Sequence, residues 1–200
     1  MVKKLGLMAL LCLISIPLAA QSVPSAEGPG RSLWAGAEIS SFNPDYGCSK
    51  SGPFSCIDRQ LLGVGVYADE NRLLGKLGVE GEARWLNWRG GGSGIKESSY
   101  MAGPRYEIIE YRRLSAYAKA QIGAGVMSLP KGLGDTTSLA FAPGLTAEYS
   151  VTRRVSLRLG YEYQFWPSFK GTSPNGSGGL TPNGFSLGLG YRLRNSRNSR

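Results

Sequence analysis

Two cysteines are the residues of this 200-residue chain best suited to covalent chemistry. Cys48 and Cys56 lie eight positions apart in a segment with several Gly, Ser and Pro residues, whereas Cys12 belongs to an apolar run near the amino terminus. In an exported chain this pair predicts one disulfide that closes a short loop and contributes about 2 to 3 kcal/mol to stability. Zinc is the weaker alternative, because the chain has no His and two thiolates cannot complete a tetrahedral site.

A second group of residues carries charge and alternates with apolar residues along the chain. Side chains at alternate positions share one face of a strand, where opposite charges can pair across neighbouring strands. Acyl-transfer catalysis is the rival chemistry, but it commonly uses a His as general base and the chain contains none. We therefore expect no catalytic residue, no cofactor and no metal. We predict instead an ion-pair network formed by Glu80, Glu82, Arg84, Lys119, Glu148, Arg158 and Glu162.

The amino terminus has the order of a secretory signal peptide. Two lysines precede an apolar run over 5–18, and small residues follow it. Cleavage after Ala20 or after Ser22 fits this order. The apolar run is shorter than the roughly 20 residues that a transmembrane helix needs. We expect export through the general secretory pathway, with a signal peptide over 1–20 and a flexible leader over 21–30.

After residue 30 the chain alternates apolar residues with polar residues or glycine in eight segments, which turn residues separate. The seventh segment is the clearest, because Leu157, Leu159 and Tyr161 share one face. Arg158 and Glu162 share the opposite face. Each segment therefore predicts a β-strand with one apolar and one polar side. The segments span 31–42, 60–68, 75–88, 98–108, 114–126, 139–149, 155–165 and 184–193.

The links between these segments alternate in length. Such alternation is typical of an up-and-down barrel with short periplasmic turns and long external loops. We predict an all-β, closed, antiparallel eight-stranded transmembrane barrel over 31–194, with both chain ends on the periplasmic side and a basic tail over 195–200. The short links are 69–74, 110–113 and 150–154, and the long links are 43–59, 89–97, 127–138 and 166–183.

The composition of the two strand faces favours a membrane barrel over a soluble barrel or periplasmic carrier. One face of the last two strands is wholly apolar or aromatic, and the opposite face holds glycine with isolated charges. A soluble core containing those charges would cost several kcal/mol for each ion that lacks full compensation. A closed barrel in lipid removes this conflict and pairs every backbone polar group. We expect the apolar faces to contact lipid and the charges to plug a lumen only wide enough for side chains.

Aromatic residues lie near both ends of the predicted strands, as in the two interfacial girdles of a membrane barrel. Tyr149 and Tyr191 lie toward the short turns. The residues toward the long links are Phe42, Trp85, Trp88, Tyr100, Phe165, Trp166 and Phe185.

Three stretches of sequence resemble the OmpA-like outer-membrane β-barrel domain family. They are YMAGPRYEI at 100–108, the run LAFAPGLTAEYSVTRRVSLRLGYEYQFW at 139–166 and FSLGLGYRL at 185–193. The resemblance extends from Leu33 to Leu193. The last strand also resembles the signal read by the barrel assembly machinery, although six residues follow where an aromatic residue usually ends the chain. The positions that fill this assembly signal are Ser186, Gly188, Tyr191 and Leu193.

The resemblance implies an outer-membrane protein with a structural, envelope-integrity or surface-interaction role. A small-solute or hydrophobic-compound channel is the alternative. Small outer-membrane barrels include lipid-A acyltransferases and deacylases, but those enzymes use a His and this chain has none.

The net charge of +9 falls to +7 without Lys3 and Lys4. In an exported protein, anionic lipid or lipopolysaccharide is a better partner for this positive charge than nucleic acid. We expect a monomer that meets the barrel assembly machinery, with Arg112, Arg113, Arg153 and Arg154 facing the periplasm.

Overall fold

The computed structural model describes residues 31–45, 60–88, 96–128, 135–169 and 179–195. Eight antiparallel strands form one closed barrel in which each strand bonds to the next and β8 returns to β1. The prediction of a closed eight-stranded barrel is confirmed. The predicted signal peptide, leader and cysteines lie outside the described residues, as does the predicted basic tail after Asn195, which is the last residue of β8. The strands are β1 Ser32–Asn43, β2 Leu61–Leu74, β3 Leu77–Trp88, β4 Lys96–Tyr111, β5 Leu114–Ser128, β6 Asp135–Ser150, β7 Val155–Tyr163 and β8 Asn183–Asn195.

The apolar faces of the strands point outward. In β7, Leu157 and Leu159 are 43% and 54% exposed, whereas Arg158 and Glu162 are 1% and 2% exposed. Leu187 in β8 is exposed in the same way. Because successive side chains of a strand point to opposite faces, each outward apolar position places its neighbour in the lumen. This is the inverse of a water-soluble barrel, and it provides an outer surface suited to lipid.

Short turns join the strands at one end of the barrel. Two residues connect β2 to β3 and two connect β4 to β5, while four connect β6 to β7. Gly75 opens the first turn with a φ of 63°, a conformation that glycine adopts without a steric penalty. The long links lie at the other end, which we call the loop end, and both ends of the barrel domain lie at the short-turn end, since Ser32 pairs with Asn195.

Several strand ends differ from the sequence prediction. The polar run after residue 68 is not a turn, because β2 continues to Leu74 and its Asp69 pairs with Glu80 of β3. These polar residues remain in the sheet because their inward side chains find polar partners, as where the Asn71 amide donates to Asp69 over 2.9 Å. At the loop end β6 begins at Asp135 rather than at residue 139.

The prediction for the aromatic residues at the loop end is partly wrong. Trp85 and Tyr100 do lie outside, and the Trp85 indole donates a hydrogen bond to the Tyr100 hydroxyl over 3.1 Å. Phe42 and Trp166 lie inside, with exposed fractions of 1% and 0%. Phe42 has the parity of the inward residues of β1. Trp166 follows β7, which ends at Tyr163 rather than at residue 165, and pairs by an isolated bridge with Leu180.

The remaining aromatic positions agree with a girdle on the outer surface. Phe165 and Phe185 are exposed toward the loop end, and Tyr149 and Tyr191 are exposed toward the short turns. The side chain of Trp88 lies outside the described part of the structure. Within the described ranges, no helix has the length and apolar character needed to cross a bilayer.

The outward orientation predicts how an arginine should act at two depths on the same strand. Ile122 lies near the middle of β5 and Leu114 begins it, and both are exposed. We expect Ile122→Arg to destabilise the barrel by about 2 to 4 kcal/mol and Leu114→Arg by about 0 to 1 kcal/mol, because the cost of a charge depends on its depth in the bilayer. Equilibrium unfolding in lipid vesicles measures both. Equal costs at the two positions would contradict the assigned lipid-facing surface.

Candidate functional site: the luminal ion-pair network

The inward positions of seven strands, β1 to β7, bring charged side chains together in the lumen. Four cations, Arg84, Arg105, Lys119 and Arg158, meet carboxylates from β1, β2, β3, β6 and β7, and all of these side chains are buried. β3 contributes three of these side chains and each of the other six strands one or two, because only alternate residues face inward. The carboxylates are Glu38, Asp69, Glu80, Glu82, Glu148 and Glu162.

Glu80 is the centre of this network. Its carboxylate accepts from Arg158 at 2.6 Å and from Lys119 at 3.1 Å, and it lies 3.2 Å from a terminal nitrogen of Arg105. The Gln121 amide donates to the same carboxylate over 3.2 Å. One buried anion therefore joins cations from three different strands, β4, β5 and β7.

The loop side of the network is organised around Arg84 and Lys119. The Arg84 guanidinium lies 3.1 Å from Glu38 and 3.2 Å from Glu162, and it also pairs with Glu82. The Lys119 ammonium lies 2.8 Å from both Glu82 and Glu162. The two cations thus share the same two carboxylates, so that strands far apart around the barrel are joined through the lumen.

The short-turn side of the network is organised around Arg105, which lies 2.6 Å from Glu148 and 3.0 Å from Asp69. Aromatic rings support the guanidinium groups here. The Tyr117 ring centroid lies 3.7 Å from the Arg105 guanidinium carbon, and the Tyr67 centroid lies 4.0 Å from that of Arg158. A desolvated cation over an aromatic face gains about 2 kcal/mol, so these rings offset part of the cost of burial.

All seven residues predicted for the network lie in the lumen and take part in ion pairs. Three further members were not predicted, namely Glu38, Asp69 and Arg105. Glu38 shares its strand face with Gly36 and Ser40 in the predicted segment 31–42, where it is the one charged residue of that face. Asp69 fell in a predicted turn, and Arg105 follows Pro104 in a strand with weak alternation. All three lie an even number of positions from inward-facing residues of their strands, and this spacing was the signal in the sequence that could have identified them.

Apolar side chains fill the lumen between the network and the loop end. One cluster consists of Phe42, Leu61 and Leu86. The Trp166 indole donates to the Gln164 amide oxygen over 2.8 Å, and the Gln164 amide donates to Glu162 over 2.6 Å, so this layer is tied to the ion pairs. A Cβ on Gly125 would overlap the Trp166 ring, which explains the glycine. The second cluster consists of Met101, Met127, Ala140, Ala142, Trp166, Phe169 and Leu180.

Glu97 is buried near this apolar layer. It is 1% exposed and lies opposite Leu86 on β3 and Met127 on β5. Neither of its carboxylate oxygens has a hydrogen-bond partner among the described residues. The same part of the chain contains no group of three or more His, Cys, Asp or Glu residues arranged to hold a metal.

The family comparison agrees with this geometry. The family model described as the outer membrane protein β-barrel domain matches residues 8–192. The chain belongs to this outer-membrane β-barrel family. The predicted resemblance to OmpA-like barrels is confirmed, and membership of this family implies that the barrel lies in the outer membrane.

Solved structures of outer-membrane barrels are similar to this family member. Neisserial surface protein A has 18% identity and a TM-score of 0.57, covering 84% of this chain and 100% of its own. The attachment invasion locus protein Ail of Yersinia pestis has 18% identity and a TM-score of 0.45 over the same shares. The amino-terminal barrel of Pseudomonas aeruginosa OprF has 16% identity and a TM-score of 0.43, covering 79% of this chain and 97% of its own. No curated protein matches the chain.

The network predicts that the loss of one luminal cation destabilises this outer-membrane barrel. Arg158→Met leaves Glu80 and its neighbours undercompensated in the interior, and breaking a buried pair in this way costs about 3 to 5 kcal/mol. Arg154→Met removes the same charge from an exposed turn position and should cost much less. Denaturant unfolding in lipid vesicles measures both.

Glu80→Gln added to Arg158→Met tests the ion pair itself. The double variant removes both charges, so we expect it to recover part of the stability that the single change loses. An Arg158→Met barrel as stable as the Arg154→Met barrel would contradict a structural role for the network.

Proposed function

We propose that this protein is a closed, non-conducting barrel that serves the outer membrane as a structural or surface-interaction protein. The observation that carries the proposal is the occupation of the lumen by two layers, the ion-pair network and the apolar clusters above it. An ion entering from the loop end would meet the apolar layer first, and it would then have to displace cations that each contact two or more carboxylates. Both steps oppose conduction.

The loop end of the barrel is proposed to carry the surface contacts. The links at this end span 44–60, 89–95, 129–134 and 164–182, against two to four residues at the opposite end. Long loops on a rigid barrel present variable surface without disturbing the strands. A Cys48–Cys56 disulfide would stiffen the first of these links, and it remains part of the proposal. No enzymatic activity is proposed, since no His is present to act as a base.

Assembly and partners are proposed from the last strand. Ser186 faces the lumen, Tyr191 and Leu193 lie on the outer face, and Gly188 has no side chain to obstruct the neighbouring strand. This pattern supports recognition of β8 by the barrel assembly machinery after export through the general secretory pathway. Outer-membrane lipid and lipopolysaccharide are the proposed partners of the outer wall, and the barrel is proposed to act as a monomer.

Planar-bilayer recording tests the closed lumen. We expect the unmodified protein to give no large, steady conductance steps. Lys119→Ala with Glu162→Ala removes a pair 2.8 Å apart without changing the net charge, and it should admit brief ion currents because it empties part of the lumen. Heat-modifiable gel migration verifies that both proteins are folded barrels. Large steady steps from the unmodified protein would favour the channel alternative.

Loop replacement tests the surface role separately. Each of the segments 46–59, 89–95, 129–134 and 170–178 is replaced in turn by a short Gly-Ser link, and adhesion of cells carrying the protein to glycan-coated and protein-coated surfaces is measured. We expect at least one replacement to reduce adhesion, because the loops rather than the strands would carry the contacts. Replacing Gly75–Lys76 by Asn-Gly in a short turn is the matched control. Unchanged adhesion in all four loop variants would contradict a surface-interaction role.

A further inference from the structure

Positive charge is concentrated at the short-turn end of the barrel. Arg72 pairs with two carboxylates there, at 3.0 Å from Glu107 and in contact with Glu110. Within the described ranges the other basic side chains of this end that lie outside the luminal network form no ion pair with a carboxylate. The lumen has the opposite balance, with six carboxylates against four cations in the network. The unpaired basic residues of this end are Arg31, Lys76, Arg112, Arg113, Arg153, Arg154, Arg192 and Arg194.

Three of these arginines line one cavity. The cavity measures about 350 Å³ and lies between the β4–β5 turn, the β6–β7 turn and the end of β8. Hydroxyl groups accompany the guanidinium groups, and no carboxylate lines it. Its volume falls in the range of small-ligand sites. The lining residues are Arg113, Ser150, Val151, Thr152, Arg153 and Arg192.

Hydrogen bonds hold the backbone around this cavity. The Thr152 hydroxyl accepts from the backbone amides of Arg154 and Val155 over 3.1 and 3.0 Å, which fixes the β6–β7 turn. The Ser150 amide donates to the Arg113 carbonyl over 2.8 Å, and the Arg192 amide donates to the Arg154 carbonyl over 2.9 Å. The three arginine-bearing segments are therefore joined, and an anion that binds between them would meet a backbone that is already ordered.

The position of the cavity relative to the tyrosine girdle gives its depth. Tyr149 immediately precedes Ser150, and Tyr191 immediately precedes Arg192. Both tyrosines lie on the outer face and are nearly half exposed. Interfacial tyrosines mark the level at which hydrocarbon gives way to headgroups. Arg192 follows Tyr191 directly, and Arg113 and Arg153 lie in turns beyond the tyrosine level, so we place all three arginines at the level of lipid phosphates.

We propose that the cavity of Arg113, Arg153 and Arg192 binds the phosphate of an anionic phospholipid in the periplasmic leaflet. A guanidinium donates two parallel hydrogen bonds to phosphate oxygens, and three such groups without a carboxylate partner favour a lipid of net negative charge over a zwitterionic one. The short turns place this site in the leaflet that consists of phospholipid, so lipopolysaccharide is not its occupant. The inference rests on the proposed lipid partnership, whereas the closed lumen and the loop contacts are tested by assays that do not require this site.

Native mass spectrometry of the full-length mature protein tests the site. The protein is released from mixed micelles containing phosphatidylglycerol and phosphatidylethanolamine, and the lipids that stay bound are counted. We expect one phosphatidylglycerol to be retained in preference to phosphatidylethanolamine. Arg153→Gln, Arg113→Gln and Arg192→Gln should each weaken retention about five-fold, which is the effect of one basic residue near a charged surface.

Lys76→Gln is the matched control, because it removes one positive charge from the same end of the barrel but outside the cavity. Retention in this control should stay close to that of the unmodified protein, and gel migration should be heat-modifiable in every variant. Arg153→Lys, which keeps the charge but loses the two-pronged geometry, should retain more lipid than Arg153→Gln.

Four outcomes would overturn the proposal. The first is equal retention of the two lipids. The second is retention unchanged in the Arg153→Gln and Arg113→Gln proteins. The third is a Lys76→Gln loss as large as theirs, which would mean a diffuse field rather than a site. The fourth is binding of inorganic phosphate, measured in zwitterionic detergent, as tight as that of phosphatidylglycerol, which would make the ligand a soluble anion.

Discussion

Backbone amides and carbonyls in hydrocarbon have no water to bond to, so they must hydrogen-bond to one another. The other features of this structure follow from that requirement. A sheet satisfies these groups only when it has no free edge, so the strands must close into a barrel. Closure with eight strands leaves an interior just wide enough for side chains. The pleat then places half of each strand in that interior, and residues excluded from lipid by their charge have to pair with one another there.

The interior solves this packing problem in layers. Carboxylates and cations occupy the middle of the lumen, and apolar side chains fill its loop end. Aromatic rings stack on two of the guanidinium groups, Phe42 on Arg84 and Tyr117 on Arg105. Glycine makes room for large neighbours, as where Gly36 leaves space for the Tyr67 ring. A chain of hydrogen bonds from Trp166 through Gln164 to Glu162 joins the apolar layer to the charged one. The lumen is thus a continuous set of contacts.

The fold and the members of the network were largely predictable because strand parity is a local property of sequence. Parity placed Arg158 and Glu162 inside and Leu157 outside without knowledge of any contact. The ion pairs themselves were not predictable. Arg84 pairs with Glu162 and Arg158 with Glu80, in each case across 78 residues, and these contacts depend on the register of several strand pairs. Asp69 was missed because polar runs at strand ends look like turns.

The closed barrel has eight seams, and seven of them join strands that are consecutive in the chain. The β1–β8 seam alone joins residues about as far apart as the domain allows, from Ser32 against Asn195 to Asn43 against Asn183. The entropy lost in bringing distant residues together is therefore concentrated at one place. Neighbouring strands can pair one after another as hairpins, but the pairing of β1 with β8 has to bring the two ends of the domain together. The β1–β8 seam therefore completes the cylinder through the least local of its strand pairings.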